Sequence, residues 1–174
     1  LLCSKDGRTL ILGVNGDVTI PTSVRSIGNQ AFKDCAGLKS VTIPSNMENI
    51  GEFAFYGCRG LTSVTIPSSV ISIRQGAFAD CSSLTSVMIP DGVMHIECEA
   101  FASCGSLTNV TVPASVTRID MEAFYGCSGL TSVMFLGECP DCRERRKDSV
   151  FLKCERLKAI HVSAKCKSWA GMKE

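Results

Sequence analysis

The chain has 174 residues, 45% of them apolar, enough for one domain with a continuous core, and a formal net charge of +1. That near-neutral balance excludes the clustered basic excess by which proteins hold nucleic acid or an acidic membrane surface. No apolar run reaches the roughly 18 residues a membrane-crossing helix requires, so no membrane insertion is expected of this stretch.

The opening Leu1-Leu2-Cys3 has neither Met nor a charged leader, and reads as the start of a mature or trimmed fragment that a signal peptide could have preceded. Residues 1–14 place the turn pair Asp6-Gly7 between two short apolar runs, which predicts a hairpin capping the unit that follows. From Asn15 a register sets in. The stretch Leu61 to Ser83, LTSVTIPSSVISIRQGAFADCSS, returns one length later as LTSVMIPDGVMHIECEAFASCGS and again as LTNVTVPASVTRIDMEAFYGCSG; LKSVTIPSNMENIGEFAFYGCRG precedes it. A 23-residue unit repeated without spacers is a solenoid, because each unit has an apolar side that only its neighbours can cover.

Within the unit, Leu61, Val64 and Ile66 predict a short strand with Thr62, Ser63 and Thr65 facing outward, and Pro67 ends it. Val70 and Ile73 point back inside from an extended return, and Ala77, Phe78 and Cys81 are spaced as on one helical turn. Phe32, Phe55, Phe78, Phe101, Phe124 and Phe151 fall in one column, an aromatic spine. Cys35, Cys58, Cys81, Cys104, Cys127 and Cys154 fall in another, three residues on. Small, buried, weakly donating side chains suit a tight corner, so these six of the eleven cysteines read as packing.

The unit from Leu130 to Arg156 is four residues longer than the others, the excess lying in LGECPDCRERRKDSV. Insertions of this kind map to surface loops. The expected organisation is thus a cap over 1–14, six repeats over 15–156, and a last strand and C-terminal cap over 157–174, including Trp169.

The recurrence of IP, AF and C at fixed offsets, with LTSVTIPSSVISI followed by GAFADC and an opening KDGRTL, resembles the BspA-like class of leucine-rich repeats over roughly Asn15 to Val162. That class is known from surface and secreted proteins. The resemblance implies an α/β fold, a right-handed leucine-rich-repeat solenoid with a parallel sheet on its concave face. It also implies a non-catalytic, adhesin-like module, extracellular or at the cell surface, that binds an extracellular-matrix or cell-surface protein or a glycan. A structural spacer within a longer surface protein, with no ligand of its own, is the alternative.

The expected ligand surface is the concave column Thr42, Thr65, Met88, Thr111, Met134 and His161, led by Thr19 and flanked by Ser, Thr, Asn and two Lys. Exposed hydroxyl and β-branched residues also suit a sheet for its own sake. The methionines break the regular threonine rows that ordering water would need. Arg143, Arg145 and Arg146 make the long loop a second contact for an acidic protein or anionic glycan.

Cys139-Pro140-Asp141-Cys142 is the one motif with a chemical name. Structural disulfides involving Cys139, Cys142 and Cys166 are the leading reading; free thiols, half a zinc site and redox chemistry follow in that order. The two histidines, His95 and His161, lie about three units apart, roughly 15 Å by strand spacing, and cannot share a site. No nucleophile triad, paired carboxylates, GxGxxG or phosphate loop occurs. No catalytic residue, metal or cofactor is therefore expected. Asn109-Val110-Thr111 has the form of a glycosylation sequon but lies within a strand, and Ile71 and Met94 share an outward register as a small apolar patch.

Overall fold

The computed structural model describes residues 1–141 and 147–164. Each of the first five rungs of the solenoid contributes two strands, and the last two contribute a long strand alone among the described residues. The longer set is β3 (Gly16–Thr19), β5 (Leu38–Thr42), β7 (Ser63–Thr65), β9 (Ser86–Met88), β11 (Asn109–Val112), β13 (Ser132–Phe135) and β14 (Ala159–Val162). The shorter set is β4 (Ser26–Ile27), β6 (Asn49–Ile50), β8 (Ser72–Ile73), β10 (His95–Ile96) and β12 (Arg118–Ile119). Every pairing between rungs is parallel, and apart from a one-residue slip at Gly16/Asp17 against β5 the register is kept, as in Val110↔Val133↔Ile160 and Ile73↔Ile96↔Ile119.

The expected hairpin is present: β1 (Leu2–Cys3) pairs antiparallel with β2 (Thr9–Leu12), and β2 continues in parallel onto β4. Asp6 holds its turn, accepting hydrogen bonds from the Ser4 hydroxyl and the Arg8 N–H, and both hold its carboxyl below the usual range.

Between the two strands of a rung, the prolines do more than end a strand. The carbonyls of Pro21, Pro44, Pro67, Pro90 and Pro113 each accept the N–H three residues on, closing the corner that turns Val24, Met47, Val70, Val93 and Val116 inward. Leu136 stands where a sixth proline would, and its N–H uses the freedom to extend the ladder to the Val112 carbonyl.

The Ala-Phe-Cys segment differs from expectation. It is not a helical turn, and the only helical piece among the described residues is a short 3-10 segment, Lys147–Phe151, in the long last unit. Amides there alternate: Lys33 and Cys35 donate within their own turn to Gln30 and Phe32, while Gln30, Phe32 and Asp34 donate to Glu52, Ala54 and Tyr56 of the next rung. The cause is two left-handed positions per rung. One column is Gln30, Phe53, Gly76, Glu99 and Glu122; the other is Asp34, Gly57, Asp80, Ser103, Gly126 and Lys153; all have positive φ. A left-handed residue ends α-helical hydrogen bonding and swings the following amides toward the neighbouring rung.

The core is what those amides enclose. The six phenylalanines stack in a continuous file, centroids 4.9 to 5.5 Å apart and rings within 19° of parallel. Gly13 lies against the Phe32 ring at the N-terminal end of the file. Beside it runs a ladder of sulfur donors: Sγ of Cys58, Cys81, Cys104, Cys127 and Cys154 donates to the Phe carbonyl of the preceding rung at 3.1 to 3.2 Å. Four of those carbonyls, of Phe32, Phe55, Phe101 and Phe124, also accept the Cys N–H of their own rung, so cysteine ties successive corners together where alanine would only fill space. The sequence separation of these bonds is 26 residues four times and 30 once, so the four extra residues before Cys154 leave the corner intact.

Candidate binding face

The long strands present alternate residues to the core and to solvent. Val18, Val41, Val64, Val110 and Val133 face inward, and Thr19, Thr42, Thr65, Met88, Thr111, Met134 and His161 are exposed. Strand register places Thr19 beside Thr42, Thr65 beside Met88, and Thr111 beside Met134 and then His161. Six rung spacings of about 4.8 Å make this column roughly 29 Å long.

Hydrogen bonding separates this column from its flank. The hydroxyls of Thr85 and Thr131 donate to the carbonyls of Thr62 and Thr108 one rung back. Ser40 donates to Asp17 at 2.7 Å and Ser132 to Asn109 at 2.6 Å. The Asn109 amide is engaged on both sides, since its Nδ2 donates to Thr108. These flanking groups are spent on the ladder. Thr19, Thr42, Thr65 and Thr111 make no side-chain hydrogen bond among the described residues, and Met88 and Met134 are 66% and 44% exposed.

The sheet is also not uniform. Ladder pairing lapses between β5 and β7 and again between β9 and β11, and at the second lapse a shallow depression of about 430 Å³ opens, lined by Thr65, Ser86, Val87, Met88, Asn109 and Thr111 among others. Val87 is half-exposed at its base, whereas Val64 and Val110 on either side are buried. Reasoning from the repeat alone misses this break; its trace in the sequence is Met88 and Asn109 standing where neighbouring rungs have Thr and Ser. A smaller hollow adjoins Met134 and His161.

Arg143, Arg145, Arg146, Cys142, Cys166 and Trp169 lie outside the described residues. Cys139 is disulfide-bonded. The thiols of the corner ladder are chemically quiet: burial raises Cys58 and Cys104 well above the ordinary range and pushes Cys81 up to about 12. A nucleophilic or redox cysteine requires the opposite shift.

His95 and Arg118 are register partners on the short-strand side. His95 is half-buried, its Nδ1 unbonded among the described residues, and Arg118 pairs with the nearly buried Asp120 at 3.1 Å. Among the described residues no group of three or more His, Cys, Asp or Glu side chains could hold a metal ion.

Comparison with known proteins places this geometry. A family model described as the BspA type leucine-rich repeat region matches in six copies over residues 15–131 and 96–171. A leucine-rich repeat protein of T. pallidum is 32% identical, with 88% of this chain aligned to 72% of that one at a TM-score of 0.78. A leucine-rich repeat protein from Eubacterium ventriosum is 22% identical over 94% of this chain and 44% of its own, TM-score 0.77. The pneumococcal vaccine antigen PcpA is 20% identical over 95% and 35%, TM-score 0.59. The last two likenesses show the fold alone. No curated protein matches the chain.

Proposed function

Because the chain belongs to the BspA-type leucine-rich repeat family, we propose that it is a non-catalytic binding module of an extracellular or cell-surface protein, gripping a matrix or cell-surface protein along its exposed threonine column. The observation that carries the reading is a contrast on one sheet: the flanking hydroxyls of Ser40, Thr85, Thr131 and Ser132 bond to the neighbouring rung, while all four central threonines and two exposed methionines are left to a partner. An unsatisfied hydroxyl beside an adaptable thioether suits a protein surface, offering directional bonds and a deformable apolar contact. The depression at Val87 interrupts the flat sheet where one partner side chain would anchor.

The test is binding of the chain to a panel of matrix proteins and cell surfaces, with Thr65→Glu and Met88→Glu as variants. Saturable binding reduced at least tenfold by either variant, with unchanged melting, supports the reading. Binding to glycans alone would replace the partner class. Absence of any binding by the folded chain would sink the proposal and leave the spacer alternative.

A further inference from the structure

A second groove lies away from the sheet, where the Ala-Phe-Cys turns of successive rungs stack. Its volume is about 540 Å³. The floor is Ala79 and Ala102, only 3% and 8% exposed, and its two ends are Tyr56 and Tyr125, which hold the same place in their rungs as the alanines. Three rungs separate the tyrosines, about 14 Å along the axis. Glu99 and Glu122 stand on one side, Asp80 and Ser103 on the other.

The charges are unevenly settled. Asp80 is neutralised by Arg59, whose Nη2 lies 2.7 Å from Oδ2. Glu99 and Glu122 hold the same position in consecutive rungs and make no ion pair within 4 Å among the described residues. Like charges one rung apart, about 4.8 Å along the axis, repel each other until a cation sits between them. Besides Arg59, two lysines among the described residues stand at the ends: Lys33 lies over the Tyr56 ring at 5.6 Å, and Lys153 lies over the Tyr125 ring at 5.2 Å and also feels the Glu122 carboxylate. Each comes from the rung beyond its tyrosine, on the side away from the groove. The pattern along the groove is thus positive, two negatives, positive, over an apolar floor.

We propose that this groove receives one lysine or arginine side chain of a partner peptide, its methylene stem on Ala79 and Ala102 and its charged head between Glu99 and Glu122. A cationic side chain supplies both parts at once, an apolar stem and multiple donors for two carboxylates. The lysine-capped ends disfavour a run of cations and select an isolated one. The groove is a site separate from the threonine column.

The test is an NMR titration of the intact chain with the blocked peptide acetyl-Gly-Gly-Arg-Gly-Gly-amide, its counterpart with citrulline for arginine, and a neutral trisaccharide. Expected are saturable shifts at Tyr56, Ser103 and Tyr125, at least tenfold weaker binding of the citrulline peptide, and at least tenfold weaker arginine-peptide binding by the Glu99→Gln/Glu122→Gln variant. Ser103→Arg, which tethers a guanidinium at the rim, is a second variant expected to block the groove. Equal binding of the two peptides, unchanged binding by both variants, or shifts confined to other surfaces would overturn the proposal. Tighter binding of the trisaccharide at the tyrosines would reassign the groove to a glycan. Thr65→Glu should leave the titration unchanged, which keeps this outcome separate from that of the sheet face.

Discussion

The ring of Phe53 occupies the space that a side chain at Gly76 would need: a β-carbon built there would overlap its Cδ1 and Cε1 atoms. Both residues belong to the same left-handed column, with φ of 53° and 58°. Phe53 leans forward over the rung that lacks a side chain and packs edge-on against Tyr56, ring centroids 6.1 Å apart.

Gly76→Ala should therefore destabilise the chain by about 1–3 kcal/mol, from backbone strain plus displacement of the ring. In a urea-denaturation cycle with Phe53→Ala the two losses should not add, because removing the ring opens the space. Additive losses would show that strain alone is responsible.

The other members of the column allow the reverse experiment. Gln30 has φ of 60° and no side-chain hydrogen bond among the described residues. Since a left-handed conformation costs an L side chain about 1–2 kcal/mol, Gln30→Gly should be neutral or stabilise by up to about 1 kcal/mol after the entropy gained by the unfolded chain. Gln75→Gly, one position earlier in its rung and outside the positive-φ set, should destabilise by about 0.5–1 kcal/mol. Paired denaturation curves decide it; equal losses at both sites would contradict the assignment.

Phe78 is fully buried and stacked on both sides, at 5.2 and 5.5 Å, whereas Phe151 is 6% exposed. Phe78→Ala should cost about 3–5 kcal/mol, and Phe151→Ala less. Thermal melts of the two variants give the order directly.

The corner thiols make stability fall in alkali. Burial favours the neutral thiol, so the folded pKa of Cys81, near 12, lies above the unfolded value of about 8.5. Stability contributed by that group is whole below the unfolded pKa and is lost as pH rises toward the folded one. Across roughly pH 9 to 12, Cys81→Ala should flatten the decline by about 1.4 kcal/mol per pH unit, at some cost in stability at neutral pH. Thiol labelling of the native chain should reach the partly exposed Cys3, Cys35 and Cys98 and spare Cys58, Cys81, Cys104 and Cys127 until unfolding. Prompt labelling of Cys104 would refute the ladder.

What was legible in the sequence follows from what repeats chemically. Phe78 and Cys81 sit in columns of one residue type, so spacing alone places them in the core. The left-handed columns were hidden because the fold demands a backbone angle there and tolerates Gln, Phe, Glu, Asp, Ser or Lys beside Gly. The Asp, Gly, Asp, Ser, Gly series from Asp34 to Gly126 carries a faint turn signal. Three-to-four spacing around Phe78 suggested a helix because periodicity records which side chains point inward, not where amides donate. The tyrosine-walled groove was invisible along the chain, since Tyr56 and Tyr125 lie 69 residues apart and become its two ends only through the stacking of rungs.

The corner that absorbs four extra residues before Cys154, yet keeps its sulfur bond, has one more consequence. Length can be added to this protein in two independent currencies. A whole 23-residue unit would move everything beyond it by one graduation of about 4.8 Å, like lengthening a ruler, whereas a few residues inserted at an edge change the local outline and move no mark. Descendants of such a chain could retune the reach between two contact points and the contour of either one without the two changes interfering.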